Sequence, residues 1–185
     1  MGKSTAAGFF RARGARIADT DQLTRDLTRP GQPALSQIKE TFGSDVISPD
    51  GSLRREKLAD VVFGDSVALK KLEAILHPRI RELWLAQAET WRKENASLGI
   101  VVIPLLYETR AELYFDKVVC VACSENARRE RLLARGWTPA QAQGRIAAQM
   151  PVVEKIARAD FVIWTEGAME NHSRQVDAIL GRIGV

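Results

Sequence analysis

The sequence predicts an α/β fold with a parallel sheet, on three observations. Four short segments are β-branched and almost continuously apolar: 15–19 (ARIAD), 99–106 (GIVVIPLL), 117–123 (KVVCVAC) and 160–164 (DFVIW). Such runs suit strands covered on both faces. Stretches of helical pattern separate them, and alternation of the two kinds defines the class. The chain has 185 residues, 45% of them hydrophobic, enough for a real core in one domain with small appendages.

The first element joins a loop to a helix. Gly2-Lys3-Ser4-Thr5 precedes the helical AAGFFRARG, which Gly14 stops. Gly2, Lys3 and Ser4 fit the end of the phosphate-binding pattern GxxxxGK[ST]. In such a loop, backbone N–H groups and the helix N-terminus cradle phosphate, the lysine reaches the β- and γ-phosphates, and the serine hydroxyl helps to hold Mg²⁺. The tetrapeptide alone recurs by chance; its place before a helix and a strand raises its weight. Met1 fills only the last of the four free positions. The chain therefore reads as cut within the loop, with a strand and a glycine-rich turn of roughly a dozen residues expected upstream. Without them the sequence predicts a poorly soluble and nearly inactive product.

Asp19 and Asp21 follow at the C-terminal end of the first strand, the edge where α/β sheets present reactive groups. A period of two points them the same way. One reading is turn and cap chemistry; the other is a carboxylate that orients a substrate hydroxyl toward a γ-phosphate. Residues 26–98 carry helical patterns and no convincing strand: PALSQIKETFG, RREKLADVVFGD, SVALKKLEAILHP and PRIRELWLAQAETWRKEN. A crossover of this size predicts a helical subdomain near the substrate end of the sheet.

Past the second strand, Cys120 and Cys123 form a CxxC within the third. Their odd separation places them on opposite faces, no second pair exists, and they read as inert core cysteines in a reducing cytosol. In SENARRERLLARG, Ser124 is the expected N-cap and Gly136 the stop. Thr138 before Pro139 opens the next helix, and a last helix spans about 168–183. Arg131 and Arg135 stand at i,i+4 on one helix face, with Arg145 and Lys155 in the helices after it. A solvated face is the ordinary reading of such charge; beside a phosphate loop, arginines also neutralise the transferring group.

The whole-chain properties exclude several classes. No apolar run approaches the ~18 residues of a membrane span. Arg11, Arg13, Arg16 and Lys3 give residues 1–18 the composition of a transit peptide, and MGKSTA approaches a myristoylation signal but has Ala6 where Ser or Thr belongs. The strand that follows ties this segment into the fold, against a removable leader. A net charge of +4 and a pI near 9.3 suit a polyanionic partner. A nucleic-acid module without catalysis lacks support: there is no recognition helix, aromatic RNA motif or basic run longer than two.

GKST, ADTDQLTR, PGQPAL, DGSLRREKL, VFGD, LEAILHPRI, IPLLYE and RIAAQM occur in this order along nearly the whole chain. The ordered set resembles the dephospho-CoA kinases, above all in HP followed by PLLYE. The resemblance implies a P-loop NTPase core with a five-stranded parallel sheet ordered 2-3-1-4-5, its first, central strand missing from this chain. It divides the chain into a nucleotide-binding core (1–25, 99–135 and 158–185), a helical CoA-substrate subdomain (26–98) and a lid (136–157). The implied reaction moves the ATP γ-phosphate to the 3′-hydroxyl of dephospho-CoA, the last step of coenzyme A synthesis, with Mg²⁺. The alternatives are another P-loop small-molecule kinase or an inactive truncated remnant.

By resemblance, Gly2, Lys3, Ser4, Thr5, Arg131, Arg135 and Arg145 bind ATP, and Ser4, with Asp19 as a second candidate, holds Mg²⁺. Asp21 is the base toward the 3′-hydroxyl, and Lys3 and Arg135 complete the catalytic set. Asp21, Arg25, Arg55, His77 and Glu108 face the acceptor. The implied enzyme is cytoplasmic, a monomer or weak oligomer, with ATP and dephospho-CoA as partners and neither nucleic acid nor membrane. Two stretches depart from the family: MPVVEK follows Gln149 where some relatives place an arginine, leaving Lys155 as the nearby cation, and WTEG (164–167) replaces a stretch that often has Asn before glycine and contacts adenine.

Overall fold

A computed structural model describes residues 2–62, 64–147 and 149–185, with the side chain of Arg145 outside that set. Met1 of the loop motif, Phe63 of VFGD and Ala148 of RIAAQM therefore lie outside the described residues. Four strands and nine α-helices run in the order α1 (Lys3–Ala12), β1 (Arg16–Asp19), α2 (Thr20–Leu27), α3 (Pro33–Phe42), α4 (Arg55–Val62), α5 (Ser66–Lys93), β2 (Gly99–Val102), β3 (Val119–Ala122), α6 (Glu125–Leu133), α7 (Pro139–Ala147), α8 (Val152–Arg158), β4 (Phe161–Trp164) and α9 (Met169–Ile183) among the described residues. The α/β class is as the sequence predicts. β1 pairs with β2 in one two-stranded sheet and β3 with β4 in another. The second pair is parallel, in the register Val119–Phe161 through Ala122–Trp164.

The chain divides into two compact units, residues 2–17 with 102–185 and residues 18–101. In the first, α1 and β4 both pack against α9. Ala6 and Phe10 of α1, Ile163 of β4 and Val176, Ile179 and Leu180 of α9 are buried. Arg13, just past α1, ties it to α9: Nη2 donates to Ser173 Oγ at 2.6 Å and to Asp177 Oδ2 at 2.9 Å. The outer edge of β4 is also occupied, by a side chain. The Gln175 amide accepts from Trp164 N at 2.8 Å and donates to Trp164 O at 3.0 Å, as a neighbouring strand would.

The second unit is helical around Ala34, Ile38, Val46, Leu58, Val62 and Ile75. Asp65 caps α5 by accepting from Val67 N and Ala68 N at 2.8 and 3.0 Å. The sequence predicts a helix break at His77-Pro78, but α5 runs unbroken for 28 residues with Pro78 inside it. Proline removes one ladder donor; in that turn Arg79 Nη1 donates to Ile75 O at 2.6 Å, and Ile75 and Trp84 of α5 are buried on either side. Packing outweighs the local cost. Gly99, opening β2, lies against the Trp91 ring: a Cβ there would fall 2.6 Å from Cε3.

Two strand expectations need correction. β2 stops at Val102, not at residue 106, because Pro104 cannot donate to a ladder; residues 104–110 turn instead, closed by Thr109 N to Leu105 O and Ala111 N to Leu106 O. Asp19 and Asp21 do not share a strand face, because β1 ends at Asp19 and α2 begins at Thr20.

Candidate active site

On the first unit, the loop motif becomes a helix start. Gly2 is the N-cap of α1 in the left-handed conformation, φ +78, a backbone state that suits glycine. A Cβ at Gly2 would meet Thr165 Cγ2 at 3.0 Å, so glycine is required twice over. Lys3, half-buried, and the exposed Ser4 and Thr5 make up the first turn, where the positive end of the helix dipole favours anions.

Thr165 was not singled out by the sequence, yet much of this region is fastened to it. It is 3% exposed, and its Oγ1 donates to Ala122 O at 3.1 Å. Arg131 grips it with both guanidinium nitrogens, Nη1 donating to Oγ1 at 2.8 Å and Nη2 to the main-chain oxygen. Arg131 thus fixes the loop after β4 against Gly2. Arg135 does not share its helix face: α6 ends at Leu133, and Arg135 stands exposed in the turn beyond, closed by Gly136 at φ +85. The backbone of Arg145 lies in α7. Ser124 caps α6 as expected, accepting from Ala127 N at 3.2 Å, while Ser124 N donates to Glu166, joining α6 to the WTEG stretch. Thr138 and Gln141 exchange bonds of 3.3 and 3.0 Å at the start of α7, a reciprocal capping box.

Glu108 sits in the turn after β2. Its Oε1 accepts from Lys155 Nζ at 2.7 Å and Met150 N at 2.8 Å. Burial opposes ionisation of this carboxyl, but the Lys155 and Met150 donors outweigh it and hold it below the usual range. Lys155, 8% exposed, also donates to Pro104 O at 3.3 Å. Cys120 is half-buried in β3 and Cys123 buried just past it, both free thiols. Burial pushes the Cys120 thiol up against the pull of Lys155 and Lys3, which suits an unreactive cysteine.

On the second unit, Asp19 caps α2 by accepting from Asp21 N at 2.9 Å, and the exposed Asp21 opens that helix. Arg25, one turn on, is exposed. Arg55 opens α4, and its Nη2 donates to Thr28 Oγ1 at 2.8 Å. Loss of solvent and then the repulsion of Arg25 hold Arg55 below the ordinary arginine value. Arg55, its guanidinium oriented by Thr28, offers the planar donor fork that suits an anion. His77 is half-buried within α5, which runs on through Pro78 without a break.

Mg²⁺ takes hard oxygen donors, keeps several waters and leans on substrate phosphates. The Ser4 hydroxyl in the first turn of α1 fits that donor chemistry.

A family model described as dephospho-CoA kinase matches residues 1–171. Among curated relatives, the dephospho-CoA kinase of Anaeromyxobacter dehalogenans is 44% identical over 97% of this chain and 85% of its own length. That of Bdellovibrio bacteriovorus is 37% identical over 97% and 89%. Among solved structures, a Thermus thermophilus protein superposes with a TM-score of 0.82 at 32% identity, over 98% of this chain and 92% of that one. The Campylobacter jejuni dephospho-CoA kinase gives 0.71 at 24% identity, over 98% and 91%, a likeness of fold.

Proposed function

We propose the residue roles that follow on the ground that this chain belongs to the dephospho-CoA kinase family, whose enzymes phosphorylate dephospho-CoA to coenzyme A and so complete its synthesis. The chain is accordingly a kinase enzyme of coenzyme A synthesis. The observation that carries its phosphate chemistry is Gly2, left-handed at the head of α1, with Lys3 and Ser4 in the first turn.

The first turn of α1 cradles the β-phosphate through its N–H groups, and Lys3 draws charge from the β- and γ-oxygens. Thr5 adds a hydroxyl at the same helix start. Ser4 would hold Mg²⁺ together with nucleotide phosphate oxygens, with Asp19, one of whose oxygens caps α2, as the second candidate. The ion, when bound, neutralises charge on the transferring group. Asp21 accepts the 3′-hydroxyl proton and points that oxygen at the γ-phosphorus; in a loose transition state positioning matters more than proton removal. Arg25 and Arg55 take the anionic part of the acceptor, and His77 borders the same subdomain. Arg135 and Arg145 neutralise the phosphoryl group from the lid side, while Arg131 acts on the nucleotide through the Thr165 seat.

The division of labour is a nucleotide core (1–25, 99–135, 158–185), an acceptor subdomain (26–98) and a lid (136–157) that excludes water on closing. For the core we read the family's strand order 2-3-1-4-5, in which this chain's β1 and β2 correspond to the family's second and third strands and β3 and β4 to its fourth and fifth. ATP and dephospho-CoA are the partners, in the cytoplasm, with the protein a monomer or weak oligomer. No described helix is long and apolar enough to cross a membrane. The test is coenzyme A formation by the purified folded protein from dephospho-CoA, ATP and Mg²⁺, run beside nucleoside monophosphates and shikimate. Coenzyme A alone is expected, against the nearly inactive product that the sequence predicts; phosphorylation of another acceptor, or of none, refutes the reading.

A further inference from the structure

Residues 149–158, which join α7 to β4 through α8, are fastened to the rest of their unit at every turn. Arg128 Nη2 donates to Gln149 Oε1 at 3.3 Å. The next residue, Met150, donates its N–H to Glu108 Oε1 at 2.8 Å. Lys155, one turn into α8, places its ammonium 2.7 Å from the same carboxylate oxygen and 3.3 Å from Pro104 O. At the end of α8, the Arg158 guanidinium lies 5.7 Å over the Tyr107 ring. Met150, Lys155 and Arg158 thus all bind the one short turn that follows β2. α7, immediately upstream, packs against α6 instead.

The pair at the centre is buried at one end: Lys155 lies inside its unit, while Glu108 stands at the surface. The Lys155 side chain is 10% exposed and that of Glu108 22%. An ammonium so far removed from water persists only where acceptors match its donors, as Glu108 Oε1 and Pro104 O do here. Here one carboxylate oxygen accepts from the main chain on one side of Pro151 and from α8 on the other. A surface pair between flexible chains would not fix the backbone in this way.

We propose that Glu108 and Lys155 are positioning residues that pin the C-terminal root of the lid, so that α7 closes about a fixed point. This deepens the kinase reading and rests on it. The resemblance of IPLLYE implied that Glu108 touches the acceptor; its Oε1 is instead committed to Lys155 and Met150. A pinned root lets the lid close over the γ-phosphoryl group in one geometry and keeps water away. With the root loosened, the γ-phosphoryl passes in part to water: the bond to the β-phosphate oxygen breaks, water supplies the new oxygen, and ADP and inorganic phosphate leave in place of coenzyme A.

The experiment measures ADP and coenzyme A in the same reaction for the wild type, Glu108→Gln, Lys155→Met and Lys155→Arg. For the first two variants kcat is expected to fall about 10-fold or more, with both KM values within about 3-fold and ADP formed in excess of coenzyme A. Lys155→Arg, which keeps the charge, should recover part of kcat relative to Lys155→Met. Hydrogen exchange at the Met150 amide is read in parallel, and Glu108→Gln should speed it about 10-fold. A KM rise for dephospho-CoA alone would return Glu108 to the acceptor and overturn the proposal. So would ADP and coenzyme A remaining equal at unchanged kcat. Should Lys155→Met not fold, Glu108→Gln, similar in size but without the charge that holds Lys155, carries the test. If the wild type makes no coenzyme A, the kinase reading fails by itself; the latch is then judged on Met150 exchange, and unchanged protection overturns it.

Discussion

Replacing Arg131 by methionine separates two roles for this side chain, phosphate partner or clamp on Thr165. The substitution keeps length and apolar contact and removes two charge-assisted bonds, to Thr165 Oγ1 at 2.8 Å and to its carbonyl. Such bonds contribute about 1.5–3 kcal/mol each. They share one residue and one guanidinium, so their losses do not simply add, and Thr165 Oγ1 keeps its bond to Ala122 O. Thr165 is buried, however, and its carbonyl would lose a donor that water replaces poorly. A loss of about 2–4 kcal/mol follows, read as a lower urea midpoint at unchanged slope. For a chain of this size it corresponds to a Tm lower by roughly 5–15 °C. Because Thr165 Cγ2 forms the wall against which Gly2 rests, the KM for ATP should rise as well. Thr165→Val, which keeps the shape and the carbonyl, should cost about 1–2 kcal/mol, and less once Arg131 is already methionine. Wild-type stability in Arg131→Met, with kcat down about 100-fold, would refute the clamp and assign the guanidinium to the transferring phosphoryl group.

Asp21→Asn should lower kcat by roughly 100-fold and leave ATP affinity almost unchanged, whereas Asp19→Ala removes a helix cap and should cost about 1 kcal/mol of stability; equal and small kinetic losses from both would make the pair structural. In acid, the lowered folded value of Glu108 has a definite sign: its contribution is full above the unfolded value of about 4.3 and is lost as pH falls through the folded one. Tm should therefore drop more steeply below that pH in the wild type than in Glu108→Gln, and parallel acid slopes would contradict this.

What the sequence by itself determined is carried by local rules. The α/β class follows from β-branched runs alternating with helical patterns, and the helix starts at Ser124 and Thr138 follow from side chains that satisfy nearby N–H groups. The family is legible because GKST, HP and PLLYE keep their order over the whole chain. The continuity of α5 was not legible, since the local rule at Pro78 predicts a break and only the packing of Ile75 and Trp84 overrides it. Tertiary structure alone decided what three charged side chains touch. Arg131 lies 34 positions from Thr165, Met150 42 from Glu108, and Lys155 51 from the Pro104 carbonyl. A periodic pattern places a charge on a helix face but carries no information about the acceptor that waits there. That acceptor is a main-chain oxygen or a carboxylate brought in by the strand crossings, and burial then decides that it must be used.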